Sequence, residues 1–154
     1  MDRDSQLIRA LKSEWILPNA VEGKLRVKPD GFMVKDLQEA GLSCFGSECL
    51  AGRVLEPADI RRCFSQGDFY QYFCWFSVDE LNVICADVND LEVEVKNTPT
   101  SIECDAGSCH YTVKFLGNVS SGMIRRIRGA LLALLTDDRL VDFNATSQDG
   151  GAEQ

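Results

Sequence analysis

The chain has 154 residues, of which 45% are hydrophobic and 26% charged, and its formal net charge is −8. That composition is typical of a folded globular protein and excludes a wholly disordered chain. The acidity argues against nonspecific binding to nucleic acid or anionic membranes, because phosphate groups attract clustered Lys and Arg. One domain over residues 1–145 is expected, followed by a disordered polar tail over 146–154.

The N-terminus shows no secretory pattern, because the first residues are charged and no apolar h-region follows them. The longest apolar run, residues 130–135, is too short to cross a bilayer. A cytoplasmic location is therefore predicted, with the seven cysteines mostly reduced and buried.

The first elements of the chain are predicted to be a helix and a short hairpin. Apolar residues at helical spacing predict a helix over residues 4–16, and Pro18 ends it. Residues 24–28 alternate between apolar and charged types and predict a strand. A Pro-Asp-Gly turn would join this strand to its partner at 32–34.

Two short helical segments are expected next. Residues 36–40 form one helical turn, closed by Gly41. Residues 43–53 are rich in glycine and small side chains, and their structure is left open. A clearer helix begins at Pro57, where a first-turn proline is favoured, and ends at Gly67.

The middle of the chain predicts a meander of antiparallel strands. Residues 69–76 and 81–88 would be joined by a turn at Asp79–Glu80, which places Cys74 opposite Cys85. The first of these strands is aromatic and apolar on both faces. This pattern favours a buried central strand over a partly exposed docking patch.

The meander continues through residues 91–95 and ends with a hairpin of 101–104 and 109–116. A serine, Ser120 or Ser121, then caps the last helix. Its apolar stripe consists of Met123, Ile124, Ile127, Leu131, Leu134 and Leu135.

The predicted fold class is α+β. The meander over residues 69–116 supplies an antiparallel sheet of about five strands. The N-terminal, middle and C-terminal helices pack on its apolar face, because amphipathic helices and half-apolar sheets must each bury one side.

Negative charge is concentrated between residues 78 and 109, where eight acidic residues accompany one base, Lys96. Alternation along 91–96 places the glutamates on the face opposite the apolar residues. A rigid acidic surface attracts a basic partner and raises its association rate. The residues predicted to form this partner-binding surface are Asp87, Asp90, Glu92, Glu94 and Glu103.

These features favour a non-enzymatic, acidic protein-interaction module over an enzyme. Its predicted partner is a protein that has a basic surface or handles nucleic acid, without direct contact to nucleic acid or membrane. An inhibitor or immunity-type protein, a chaperone-like adaptor and an assembly subunit all fit this description. A homodimer is compatible with it as well.

The alternative class is a protein that binds a small molecule, an anion or zinc. Free amides at a helix N-terminus together with arginine can hold a phosphate or a carboxylate. The candidate anion-binding residues at the start of the last helix are Ser120, Ser121, Arg125, Arg126 and Arg128. No Walker lysine or dinucleotide glycine motif accompanies them, so no nucleotide is implied and no cofactor is predicted.

Two cysteine pairs share the same spacing and form a candidate zinc set of Cys44, Cys49, Cys104 and Cys109. Strand parity supports a competing interpretation, because Cys109 shares a face with Tyr111 and Val113 and would be a buried, reduced thiol. A disulfide between Cys104 and Cys109 is disfavoured in a reducing cytosol. The buried-thiol interpretation is preferred, and no metal is predicted.

His110 is the only histidine of the chain. In the predicted hairpin it faces Glu103 on the outer face of the sheet as a surface charge pair. A Cys109–His110 dyad is disfavoured because adjacent strand residues point to opposite faces. The sequence therefore predicts no catalytic residue.

Overall fold

The computed structural model describes residues 6–18, 25–47, 55–62, 70–88, 91–99, 107–117 and 120–142. The protein is α+β, as predicted. The strands are β1 (Gln6–Lys12), β2 (Ile16–Pro18), β3 (Leu25–Val27), β4 (Leu42–Gly46), β5 (Tyr70–Ser77), β6 (Glu92–Asn97), β7 (His110–Leu116) and β8 (Leu140–Asp142). The α-helices are α1 (Pro57–Arg61), α2 (Val78–Ala86) and α3 (Ser121–Leu134).

Six strands form one antiparallel sheet in the order β6-β7-β4-β1-β5-β8, and β2 pairs with β3 in a separate ribbon. β1 lies inside the sheet and pairs with β5 along its whole length. It pairs with β4 only at Leu7 opposite Gly46 and at Ile8 opposite Phe45. β1 and β4 diverge beyond these pairs, and we call the gap between them the fork.

The prediction of an N-terminal helix over 4–16 is wrong, because residues 6–12 form β1. Leu7 and Leu11 are fully buried on one side of the sheet, and Ala10 is buried on the other. A strand buried on both sides shows no alternation. The four-residue spacing of Leu7 and Leu11 fits both the helical and the strand period, so periodicity alone could not separate the two.

The predicted strand over 81–88 is also wrong, because this segment lies in and just after helix α2. The helix begins with a capping box: the Ser77 hydroxyl accepts from the Glu80 N–H at 3.1 Å, and Glu80 Oε1 accepts from the Ser77 N–H at 2.8 Å. This reciprocal pair is a helix-start signal, and it falls where a turn was expected. Consequently Cys74 does not face Cys85 but lies opposite Arg9 on β1.

The strand predicted at 24–28 pairs with a different segment from the expected 32–34. β3 pairs with β2, whereas Pro29–Phe32 forms a 3-10 turn. The segment predicted as one helical turn is confirmed as Asp36–Ala40, a short π-helix that ends at Gly41. Gly41 has a φ of 87°, a backbone conformation that disfavours residues other than glycine.

The aromatic strand, the strand after residue 91 and the hairpin strand after residue 109 are confirmed as β5, β6 and β7. The helix beginning at Pro57 is confirmed over α1. Ser120 caps α3 by accepting from the Met123 N–H at 3.2 Å. The predicted helix end at Gly67, the strand at 101–104 and the tail at 146–154 lie outside the described residues.

The two faces of the sheet bury different amounts of apolar surface. On the inner face, α2 and α3 pack against a large cluster that includes the predicted Ile127 and Leu131, both fully buried. The outer face carries a smaller cluster of Ala10, Phe45, Leu55, Ile60, Phe73 and Cys109. β5 contributes to both clusters, with Phe76 on the inner face and Phe73 on the outer face.

In the part of the chain that the structure describes, no helix is long and apolar enough to cross a membrane.

Candidate functional site

The predicted acidic surface is only partly assembled. Glu92 and Glu94 are exposed on β6, as expected, but they share the outer face with two exposed lysines. Lys114 lies directly opposite Glu94, and Lys96 follows two residues later on β6. The charges of these two carboxylates and two ammonium groups cancel, so this patch of β6 and β7 has no net charge.

The other members of the predicted surface do not extend it. Asp87 is exposed at the C-terminal end of α2. That helix packs on the inner face through Leu81, Ile84 and Cys85, away from the outward-pointing glutamates. Asp90 and Glu103 lie outside the described residues.

The predicted anion site at the start of α3 offers no converging groups. The Ser120 hydroxyl is used to cap the helix. Ser121 and the arginines Arg125 and Arg126 are exposed, and Arg128 is half-buried. With the arginines more than one turn from the helix start, these residues do not surround a common point.

The candidate zinc set is not brought together. Cys44 lies in the inner-face cluster and Cys109 in the outer-face cluster. Cys109 is disulfide-bonded, which corrects the prediction of a reduced thiol. Its partner is outside the described residues, as are Cys49 and Cys104. Among the residues described, no group of three or more potential metal ligands converges.

The remaining described cysteines are buried thiols. Burial raises the pKa of Cys44 to about 12, opposed by the nearby Arg9 guanidinium. Burial likewise raises the pKa of Cys74 to about 12 and that of Cys85 to about 11. These thiols stay protonated at neutral pH and are poor metal ligands or nucleophiles.

His110 is the centre of a hydrogen-bonded network on the outer face. Its Nε2 lies 2.5 Å from the Ser43 hydroxyl, across the β4–β7 strand pair. Its Nδ1 lies 2.8 Å from the Thr98 carbonyl oxygen and 2.9 Å from the Thr98 hydroxyl. The Thr98 hydroxyl lies 2.8 Å from the Thr112 hydroxyl. The Phe45 ring meets the imidazole edge-on, with centroids 5.2 Å apart.

The Thr98 carbonyl favours the tautomer of His110 that carries its proton on Nδ1. A carbonyl oxygen only accepts hydrogen bonds, so it can bond to the ring only when Nδ1 carries the proton. In the neutral ring Nε2 is then unprotonated and accepts the hydroxyl proton of Ser43. A serine, a histidine base and a group that orients the base are thus joined by one continuous series of hydrogen bonds. The predicted Glu103 contact is not needed to hold the ring.

Beside Ser43 lies a cavity of about 200 Å³ at the fork. Its position follows from the strand pairing, since β1 and β4 have no residue pairs beyond Ile8 and Phe45. Its walls are formed by Arg9, Ala10, Trp15, Asp36, Gly41, Ser43, Phe45 and Tyr70.

Arg9 is the positively charged residue in this cavity wall and is only 7% exposed. Nε and Nη2 donate to the Gly31 carbonyl at 3.2 and 2.9 Å, and Nη1 donates to the Ser43 carbonyl at 3.0 Å. The guanidinium carbon lies 5.2 Å from the Phe32 ring centre and 5.9 Å from that of Trp15. Among the described residues, no carboxylate forms an ion pair with Arg9.

Sequence reasoning missed both Ser43 and Arg9. Ser43 and His110 are 67 residues apart and meet only through the β4–β7 pairing. Arg9 lies within the segment predicted as a helix over 4–16, and nothing in that interpretation singled it out. The available signal was a single arginine in a segment of apolar residues, which can be recognised only once that segment is a buried strand.

No protein-family model, curated protein or solved structure matches the chain in comparisons with known proteins.

Proposed function

We propose that the protein binds a small anion, of the carboxylate or phosphate class, in the fork cavity, with Arg9 as its charge partner. The observation that supports this best is the buried Arg9 guanidinium, which lines a cavity and has no carboxylate partner among the described residues. This is the small-molecule alternative of the sequence analysis, moved from the start of α3 to the fork.

The first argument is electrostatic. Burying a charge is strongly unfavourable unless the charge is paired and its hydrogen bonds are satisfied. Three of the five guanidinium N–H groups donate to the carbonyls of Gly31 and Ser43. Among the described residues no group accepts from the other two donors or pairs with the positive charge, and an anion in the adjoining cavity would satisfy both.

The second argument comes from the backbone at the fork. The amide and carbonyl of one strand residue point to the same side. The Ser43 carbonyl is bonded to Arg9, so the Ser43 N–H also faces the fork. Ala10 follows the last pair of β1 by two residues, so its N–H faces the fork from the opposite strand. Two amides and a guanidinium therefore surround the same space.

Size and the remaining walls limit the ligand. A volume of about 200 Å³ is below the roughly 300–1,000 Å³ of drug-sized sites, so the ligand has few heavy atoms. Lys12 adds positive charge, with its ammonium 5.4 Å from the Trp15 ring and 5.9 Å from the Tyr70 ring. Asp36 in the same wall disfavours polyanions. A monoanion that also carries a hydrogen-bond donor fits best.

Tryptophan fluorescence provides a direct test, because Trp15 lines the cavity. In a Trp75→Phe background the remaining signal comes from Trp15. Titration with phosphate, acetate, lactate and succinate, against chloride at equal ionic strength, should give saturable changes for at least one of the anions. At ten times Kd the ligand should also stabilise the fold by about 1.4 kcal/mol.

Three variants test the assigned roles. Arg9→Met should abolish binding, whereas Arg126→Met, on the exposed surface of α3, should leave it unchanged. Because Arg9→Met removes buried hydrogen bonds, Asp36→Asn is the safer variant, and it should tighten binding of a simple anion several-fold. The proposal is wrong if none of the four anions binds, or if binding is insensitive to both Arg9→Met and Asp36→Asn.

The second candidate function is the predicted interaction module for a protein with a basic surface. The observation that favours it is the position of β6 at one end of the sheet, with Glu92 and Glu94 exposed. An edge strand can add a strand from a partner, and its side chains then select the partner. Inhibitor, adaptor and assembly roles all remain within this proposal, as does a homodimer.

This candidate is tested by the double variant Glu92→Lys with Glu94→Lys. It should weaken capture of a basic partner at low salt, mainly through a slower association rate. Removing Arg125, Arg126 and Arg128 together is the control and should have little effect. If the arginine variant loses the partner and the double variant keeps it, the binding surface lies on α3 instead.

The cytoplasmic location remains a prediction from the sequence, and the disulfide at Cys109 argues against it, because reducing pools in the cytosol keep most thiols reduced. Mass analysis of the protein taken from its native source, with free thiols alkylated before reduction, would determine the state of Cys109 there.

A further inference from the structure

We propose that Ser43 is a nucleophile activated by His110 and that the fork cavity is the acyl site of an esterase. The substrate class is an ester of a small acid that carries its own negative charge. Only this substrate class rests on the anion binding proposed above; the reactivity of Ser43 rests on the His110 network.

The first support is the alignment of the three groups. The Ser43 hydroxyl and His110 Nε2 are 2.5 Å apart, within reach for proton transfer. The Thr98 carbonyl at 2.8 Å from Nδ1 keeps Nε2 available as the base. The edge-on contact with Phe45 restricts rotation of the ring. A nucleophile, a base and a group that orients the base are the arrangement expected of an activated serine.

The second support is the set of donors beside Ser43. When a serine attacks an ester, negative charge develops on the former carbonyl oxygen. The Ser43 N–H, the Ala10 N–H and the Arg9 guanidinium are the donors at the fork. The amides can stabilise the developing charge, and Arg9 can hold the carboxylate of the acyl group. Ser43 itself is exposed, so the alcohol portion of the ester can extend into solvent.

The reaction follows from these roles. Ser43 Oγ bonds to the acyl carbon while its proton moves to His110 Nε2. The ester C–O bond breaks, and the alcohol oxygen takes that proton from Nε2. Water then gives a proton to Nε2 and its oxygen bonds to the acyl carbon. The bond to Ser43 Oγ breaks, and the serine regains its proton from His110. One ester and one water yield one acid and one alcohol.

The competing explanation is that Ser43 and His110 merely join β4 to β7. A phosphonylating probe distinguishes the two, because a structural serine reacts no faster than other surface serines. With a fluorophosphonate, Ser43 Oγ bonds to phosphorus, fluoride leaves, and His110 takes the proton. Intact mass should show one adduct, and peptide mapping should place it on Ser43.

Variants and an assay make the result decisive. Ser43→Ala should remove the adduct, and Ser121→Ala, on the exposed start of α3, should keep it. His110→Gln retains hydrogen-bonding groups but is not basic, and in a protein whose circular dichroism is unchanged it should slow labelling by about 10²–10⁴-fold. The absence of an adduct on Ser43 in the folded protein would overturn the proposal. Labelling that His110→Gln leaves unchanged would do the same.

The substrate class is tested separately with 4-nitrophenyl esters. The hydrogen succinate ester should react faster than the uncharged butyrate ester, and Arg9→Met should bring the ratio of the two rates, measured within that one variant, close to one. A Ser43 adduct without anion binding would show that the reactivity stands and the anion proposal fails. Anion binding without an adduct on Ser43 would show that the anion proposal stands and that the proposed reactivity of Ser43 is wrong.

Discussion

In the part of the chain that the structure describes, the inner and outer faces of the sheet differ in how completely they are covered. On the inner face, two helices and the strands bury a continuous apolar cluster in which Ile127 and Leu131 have no exposed surface. On the outer face six of the described residues form a buried cluster, and Ser43, His110 and the lysines of β6 and β7 stay at least partly exposed. Stability is concentrated on one face, and chemically useful groups are left accessible on the other.

This division has a physical cause. Apolar burial stabilises in proportion to the area removed from water, so one well-covered face can supply most of the folding free energy. Polar groups lose free energy when they are buried without partners. A network such as Ser43–His110–Thr98 is therefore favoured at a half-covered face, where water can reach it.

The largest expected effect belongs to the inner face. Leu131→Ala should cost about 2–5 kcal/mol, because it removes fully buried methyl groups and leaves a cavity. Leu116→Ala is the matched control, since Leu116 is 40% exposed on the outer side of β7, and it should cost less than about 1 kcal/mol. Urea unfolding of both variants measures the difference. Equal costs would contradict the contrast between the faces.

A smaller effect is expected where the chain passes closely over β7 at Gly41. Its φ of 87° and ψ of 159° are accessible almost only to glycine, and an added Cβ would clash with Thr112. Gly41→Ala should therefore cost about 1–3 kcal/mol in chemical denaturation. The control is Gly129→Ala in the exposed middle of α3, where a Cβ meets nothing and should stabilise by up to about 1 kcal/mol. A neutral Gly41→Ala would contradict this prediction.

The ion pair between Glu80 and Arg139 should make one part of the stability depend on pH. Both Arg139 Nη atoms donate to the carboxylate at 2.9 Å, and this lowers the pKa of Glu80. The ionised pair thus stabilises the fold above the ordinary pKa of the carboxyl group. That contribution is lost as the pH falls through the lowered value.

Glu80→Gln tests this while keeping an oxygen for the capping box with Ser77. At neutral pH it should cost about 1 kcal/mol, because the pair is partly exposed. Thermal unfolding from pH 7 to pH 3 should then show a weaker acid dependence than in the parent protein. Glu92→Gln, on the exposed surface, should leave that dependence unchanged, and identical acid profiles for both variants would refute the role of the pair.

The smallest effect on stability is expected on the outer surface of β6. Glu92→Lys with Glu94→Lys should change the free energy of unfolding by less than about 0.5 kcal/mol per site, because both side chains are exposed. Equilibrium denaturation measures this directly. A larger loss would mean that these glutamates support the fold and that binding data on the double variant cannot be read as a surface effect.

The sequence by itself determined the elements whose signals are local. In α3, the cap at Ser120 and an apolar stripe at helical spacing both lie within one segment, and the structure confirms them. The aromatic β5 and the alternating β6 were likewise recognisable, because the pattern of one strand reports which side is buried. The exposure of Glu92 and Glu94 follows from that same alternation.

Only the tertiary structure decided the features that depend on distant segments. β1 is a strand because β4 and β5 pair with it, although its residue spacing also fits a helix. The Ser43–His110 contact and the position of Arg9 beside the cavity arise from the strand order and from the divergence of β1 and β4. Such contacts link residues far apart in the chain. No local propensity records them, because their free energy appears only when the sheet is assembled.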